Sequence, residues 1–292
     1  MNIIKKIYEK HYKKLLVIPI VLLILAFVQI TVQGISTGDF INKGVSLKGG
    51  LSITIEKNAD VAVLQDKLDS KFSGADIHVR ALSEAGIQVG TIVEATGVES
   101  DKLIDELSSE MELEKEEYSI EIMGSSLGES FFQETVKAML IAFIFMGIVV
   151  FFYFRTVVPS FAVILAAFSD IVVTMSIVNL MGMRLSTAGI AAFLMLIGYS
   201  VDTDILLTTR LLKRRQGTVM ERVYGAMKTG LTMNITTMTA ILVALFLAQS
   251  DVIKQIMIIL LIGLIVDMIN TWIQNVGILR IYLGKKGVKD ES

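Results

Sequence analysis

The chain has 292 residues, 53% of them hydrophobic and only 19% charged, with a mean hydropathy of +0.65. Soluble domains average roughly 45–50% apolar and about 25% charged, so these values exclude disorder and point to a membrane protein. There is no cysteine and the histidines are His11 and His78; this excludes a disulfide framework, a thiolate zinc or iron–sulfur centre and a cysteine nucleophile, and argues against a histidine metal site or a Ser-His-Asp triad. No cofactor and no enzymatic activity are expected.

A bilayer core of ~30 Å takes about 20 apolar residues as a helix. Six stretches reach that length: 15–33, 134–154, 158–181, 185–207, 231–249 and 252–273. Lys5, Lys6, Lys10, Lys13 and Lys14 precede the first, as in a signal peptide. Its apolar run exceeds the ~7–15 residues of a signal peptide, however, and no A-x-A site follows, so an uncleaved anchor is expected.

Between the first two spans the periodicity changes. LSITIEK (51–57) alternates as a strand, and DVAVLQDKLDSKF (60–72) places Val61, Leu64, Leu68 and Phe72 at helical spacing. DIHVRAL (76–82) and IQVGTIVEA (87–95) read as strands, SDKLIDELSSEM (100–111) as a helix capped by Ser100 or Asp101, and YSIEIM (118–123) as a last strand. The order β-α-β-β-α-β is that of a ferredoxin-like split βαβ fold. The expected organisation is a cytoplasmic tail and first transmembrane helix over 1–33 and an external α+β ferredoxin-like domain over 34–132. A five-helix transmembrane bundle with a cytoplasmic loop at 208–228 covers 133–280, and a basic tail covers 281–292. The external domain has no catalytic constellation, and its carboxylates read as a solvated acidic face.

The formal net charge of −2 conceals an asymmetry. Residues 34–132 hold eight Lys/Arg against nineteen Asp/Glu, a net of −11, which leaves +9 for the remainder. The basic residues lie in the N-terminal tail, at Arg155, over 208–228 and at the C-terminus, all on one side of a six-span chain. By the positive-inside rule that side is cytoplasmic, with both termini there and the acidic domain outside. RLLKRRQGTVMERVYGAM (210–227) reads as one amphipathic basic helix lying on anionic lipid rather than contacting RNA, so no nucleic-acid partner is expected. No GxxxxGKS is present, so energy must come from an ion gradient rather than a nucleotide.

Four acids interrupt the spans: Asp170, Asp202, Asp204 and Asp267. Such residues are costly in lipid and face a bundle interior or a water path. Asp202 shares a helical face with Ala188, Ala191, Met195 and Gly198, a small-residue stripe suited to close packing, so it is the better candidate for a buried site. Asp204 lies 200° further round, beside Phe193, Ile197 and Ser200, and nearer the basic loop. Thr232, Asn234 and Asp267 fall at the depth of Asp202, with Lys228 beneath and Gly263, Asn270 and Thr271 beside Asp267. Titratable groups at a shared depth suggest a proton relay, because proton transfer needs hydrogen-bond reach.

Several segments resemble the SecD/SecF family of protein-export membrane subunits, of the RND superfamily. GVSLKGG (44–50) is similar to the Gly-rich opening of that family's external domain, and GSSLG (124–128) to the lead into the second span. SDIVVT (169–174), GYSVDTDILLTTRL (198–211), TGLTMNITTM (229–238) and GLIVDMINTW (263–272) resemble the motifs of the third to sixth spans. The single short external domain and the GYS variant favour the SecF branch.

The resemblance implies an export factor that uses the proton-motive force, paired as a heterodimer with a SecD-like subunit. It also implies contact with the Sec translocon channel, the exported polypeptide and the lipid bilayer of the cell membrane. It carries a relay role to Asp202 or Asp204, and with them Asp170, Asp267, Asn234 and Lys228. Asp202 stands where SecD has its acid, whereas SecF relatives often have Asn there and Asp at the position of Thr203. Ser46 and Ser169 replace the family's usual Asp and His. Gly44, Gly49, Gly50 and Gly124 become hinges between spans and domain, although the glycines near residue 50 also fit a simple turn into the first strand. Two other readings stand beside this one: an RND-type half-transporter for lipid or drug efflux, and a scaffold that moves no protons.

Overall fold

The computed structural model describes residues 8–84, 87–114, 117–213, 216–248 and 250–286. Lys5, Lys6, Arg214, Arg215 and Lys289, counted above among the basic groups, lie outside them. In chain order the elements are α1 (Tyr12–Leu15), α2 (Val17–Thr37), α3 (Val45–Lys48), β1 (Gly50–Ile55), α4 (Val61–Lys71), β2 (Asp76–Glu84), β3 (Ile87–Thr96), α5 (Ser100–Met111) and β4 (Tyr118–Met123). There follow α6 (Ser125–Phe154), α7 (Val157–Leu180), α8 (Thr187–Lys213), α9 (Val219–Leu247), α10 (Asp251–Ile269), a π-helical turn (Asn270–Asn275) and α11 (Val276–Lys285). Among the described residues six helices are long and apolar enough to cross a membrane, as the sequence suggested.

The strands form one antiparallel sheet in the order β2-β3-β1-β4, the ferredoxin-like arrangement expected from the periodicity. Period-2 alternation sends Leu51, Ile53 and Ile55 of β1 to one face, where they meet Leu64 and Leu68 of α4 and Leu103 and Leu107 of α5. Asp60 caps α4 by accepting from the amides of Ala62 and Val63. The cap of α5 is Glu99 rather than Ser100 or Asp101, and it makes no side-chain capping bond. The opposite sheet face carries Ser52, His78, Arg80, Glu94 and Glu121 towards one end of the helical bundle.

Within the bundle α7 and α8 are the interior helices, 67% and 56% buried over their apolar windows, whereas α2, α6 and α9 are largely exposed. Phe193 and Leu196 of α8 pack with Ile259, Leu260 and Leu264 of α10. Gly263 permits that approach, since a Cβ there would meet the Leu196 side chain. The second span begins at Ser125, ahead of the apolar run 134–154.

The expected single basic helix over 210–227 does not form. Gly217 at φ +78° turns the chain, and Thr218 and Glu221 make a capping box: the Glu221 amide donates to Thr218 Oγ1 and the Thr218 amide to Glu221 Oε2. Arg210 and Lys213 therefore finish α8, while Arg222 and Lys228 belong to α9. This turn, the N-terminal segment and α11 gather at the end away from the sheet. There Tyr8 Oη donates to the Trp272 carbonyl at 2.6 Å, and Arg280 donates to the carbonyls of Tyr8 and Glu9.

Charge pairs fix the sheet to the other end. Arg184, just before α8, reaches Asp76 at 2.5 Å, Arg80 pairs with Asp251, and Lys254 donates to the Ser83 carbonyl. Gly44 caps α3 and donates to the Leu185 carbonyl, and Gly124 caps α6. Gly49 and Gly50 have φ +81° and +130°, and a Cβ on Gly49 would overlap the backbone of Ser125. That pair is a turn into β1 pressed against the start of α6.

Candidate functional site

A lone carboxylate in an apolar helix costs roughly 2.5–3.5 kcal/mol on the insertion scale, so its partners reveal what stabilises it. Asp170 of α7, Asp204 of α8 and Asp267 of α10 are fully buried and share one network. Asp170 accepts from Ser200 Oγ at 2.5 Å and Asn270 Nδ2 at 2.7 Å. Asp204 Oδ1 accepts from Asn275 Nδ2 at 2.7 Å, and Asp267 Oδ2 from Asn234 Nδ2 at 3.1 Å. Thr271 Oγ1 lies 3.0 Å from both Asp204 Oδ1 and Asp267 Oδ1.

A hydroxyl carries one hydrogen. Thr271 can donate to only one of its two carboxyls at a time, so the second contact is a full hydrogen bond only when that carboxyl is protonated and donates back. The pair is therefore linked through one shared donor, and moving a proton from one acid to the other reverses the bond. Among the described residues none of the three acids forms an ion pair, and no group of His, Cys, Asp or Glu is disposed to hold a metal ion.

The π turn assembles the donors. Asn270, Thr271, Gln274 and Asn275 are all buried there, and its wider turn aims them at α7 and α8. Such insertions in α-helices recur at functional sites. Gln274 and Asn275 escaped the sequence reading, although the paired polar residues of N-T-W-I-Q-N, spaced i, i+4 in an apolar span, are a visible signal.

Of the residues singled out in the sequence, Asp170, Asp204, Asp267 and Asn234 come together. Asp202 does not: it is exposed, as are Ala191, Met195 and Gly198 on the same face, so the small-residue stripe faces outward and the buried acid of α8 is Asp204. The reason is that, among the described residues, no helix packs on this face. Lys228 is also exposed; its carbonyl accepts from Thr232 Oγ1, and among the described residues its side chain forms no ion pair with the acids. Ser46 Oγ accepts from the Thr187 amide at the head of α8, and Ser169 donates to the Leu165 carbonyl inside α7.

A second polar region of ≈460 Å³ lies between the sheet and the bundle, lined among others by His78, Arg80, Glu94, Arg184, Asp251 and Lys254. Burial pushes the Asp76 carboxyl up, but Arg184 and Lys48 outweigh it and hold the group below its usual range. Burial, with Arg184 nearby, holds His78 below its usual value.

Residues 103–285 match the family described as Protein export membrane protein SecD/SecF, C-terminal. The protein-export membrane protein SecF of Pyrococcus furiosus is 38% identical over 290 residues, which cover 98% of this chain and 96% of that protein. Its counterpart in Methanocaldococcus jannaschii is 43% identical, over 94% of this chain and 96% of the other. In fold, the chain resembles the crystal structure of SecDF, a translocon-associated membrane protein from Thermus, with a TM-score of 0.72 at 20% identity. The match covers 94% of this chain and 38% of that longer one.

Proposed function

Because this chain belongs to the SecD/SecF family of protein-export membrane proteins, we propose that it is the SecF-type subunit of the Sec export machinery and couples the proton-motive force to protein translocation. Relatives matched over nearly their whole length are protein-export proteins, which sets lipid or drug efflux aside. The observation that carries the coupling role is Thr271, which holds Asp204 and Asp267 at equal distances with one hydrogen to give. Three carboxyls buried side by side titrate as a set. Loading or releasing a proton changes which of α7, α8 and α10 are bonded, and so biases their packing.

In this reading the relay is Asp170, Asp204 and Asp267, supported by Asn234, Ser200 and the π turn. Asp202 acts from the outer face of α8. The exposed stripe of Ala191, Gly198 and Asp202 is suited to close contact with a second six-helix subunit, and a SecD-type protein is the partner proposed. The translocon, the exported chain and lipid are its further contacts. The basic end of the bundle is cytoplasmic, both termini lie there, and the sheet lies outside the cell membrane.

The test is gradient-dependent export in vesicles carrying Asp204→Asn or Asp267→Asn chains. Loss of the response to an imposed proton gradient, with the complex still assembled, is expected. Undiminished response in both variants would remove the relay and favour a scaffold.

A further inference from the structure

Threonine hydroxyls in membrane helices commonly turn back onto the carbonyl one turn earlier, which satisfies them inside the helix. Thr203, Thr229, Thr232, Thr236 and Thr239 do so, donating to the carbonyls of Tyr199, Gly225, Lys228, Thr232 and Ile235 at 2.8–3.3 Å. Thr174 and Thr208 do not. Both are fully buried, and among the described residues neither hydroxyl has a hydrogen-bond partner.

Their positions are specific. Thr174 follows Asp170 by four residues on α7, and Thr208 follows Asp204 by four on α8, so each shares a helix face with a network acid. Because α7 and α8 run in opposite directions, Thr174 lies one turn towards the sheet from Asp170. Thr208 lies one turn beyond Asp204 towards the basic end. Asp204 Oδ2 and Asn275 Oδ1 are also buried without partners, which leaves acceptors open beside the network.

We propose that Thr174 and Thr208 are the two ends of the proton path whose centre is the carboxyl network, an inference that rests on the relay proposed above. A hydroxyl has one donor and two acceptor sites. It takes a proton on a lone pair and releases its own to the next group, so only O–H bonds form and break and the side chain ends neutral. Side chains one turn apart are separated by about 5–6 Å, a gap that one bridging water completes. Stability alone favours valine at both sites, since it keeps the shape and removes an unbonded buried hydroxyl. A structural role and a relay role therefore predict opposite results for the same substitution.

The experiment uses the full chain with its co-purified SecD-type partner, in phosphatidylethanolamine–phosphatidylglycerol liposomes holding a pH-sensitive dye. Thr174→Val and Thr208→Val are each expected to slow gradient collapse at least about tenfold, with melting temperatures unchanged or raised. Thr174→Ser and Thr208→Ser, which restore a hydroxyl, are expected to recover the rate. Valine variants at the unmodified rate beside an inactive Asp204→Asn would overturn the two ends and leave the carboxyl relay standing. Equal loss in the valine and serine variants would also overturn them, because packing would then be the cause. Unmodified flux in Asp204→Asn would remove the relay and this inference together.

Discussion

Asn275, on the π turn, donates to Asp204 of α8 across 2.7 Å, and neither side chain is exposed to solvent. This bond joins the last span to the interior helix at the one place where the last span leaves α-helical geometry. Replacing Asn275 by alanine leaves Asp204 with Thr271 as its remaining donor. A buried acceptor deprived of a partner costs about 1–3 kcal/mol, so a loss of that size is expected in chemical unfolding in micelles. An unchanged unfolding midpoint would show that Asp204 does not depend on the π turn.

Asp202 is expected to behave in the opposite sense. Exposed on a membrane-spanning face, it carries the intramembrane cost of a carboxylate, roughly 2.5–3.5 kcal/mol, with no compensation among the described residues. Asp202→Leu should raise the melting temperature of the isolated chain and lower the yield of co-purified SecD-type partner. A variant that is destabilised alone, or that assembles normally, contradicts a partner-facing role.

The Gly49 turn gives a third expectation. Gly49→Ala puts a Cβ at φ +81° and into the Ser125 backbone. With ψ at 164° this is a backbone conformation that essentially only glycine adopts, costing about 1–3 kcal/mol for a residue with a side chain, and the overlap adds to it. Faster proteolytic cleavage around the α3–β1 turn is expected, whereas Gly124→Ala, with nothing near its added Cβ, should cleave at the original rate.

Acid should loosen the sheet through His78 before Asp76. The value of His78 in the folded protein is below its usual one of about 6.5, with Arg184, Glu94, Arg80 and Asp76 as its charged neighbours. The unfolded chain therefore binds the proton first. Stability is full above about pH 6.5, falls as the pH drops towards the folded value, and levels off beneath it. Asp76 is shifted down, so its contribution is present above the usual carboxylate range and disappears only as the pH falls through its lower folded value. Melting of His78→Gln between pH 7.5 and 5 should be flatter than that of the original chain; an identical slope would refute the assignment.

The ferredoxin-like domain was legible because its core is local. Alternation in Leu51, Ile53 and Ile55 and the spacing of Leu64 and Leu68 state which side is buried without reference to distant chain. The acids were legible as a set, since charge in an apolar span is conspicuous. The choice between Asp202 and Asp204 was not. Small residues mark close helix packing whether the neighbour belongs to the same chain or to another, so Ala191 and Gly198 pointed to a contact without saying whose. Asn275 lies two residues beyond the apolar run 252–273, so a search confined to that run does not reach it, although it follows Thr271 by four residues. The Thr218–Glu221 box was readable in T-V-M-E, but the surrounding arginines masked it as one continuous basic helix.

Asp251 opens the same helix that carries Asp267, and it pairs with Arg80 of the sheet. The two acids are about 24 Å apart at 1.5 Å per residue, one half-buried beneath the sheet and one among the buried carboxyls. In the proposed relay that helix is a lever with its short end among the buried carboxyls. A tilt of about 5° around Asp267 displaces Asp251 by about 2 Å over that length, most of the length of a hydrogen bond. The charge pair at its tip converts that displacement into a pull on β2, so in the proposed relay a proton moving less than the width of a side chain is felt by the sheet at the far end of the helix.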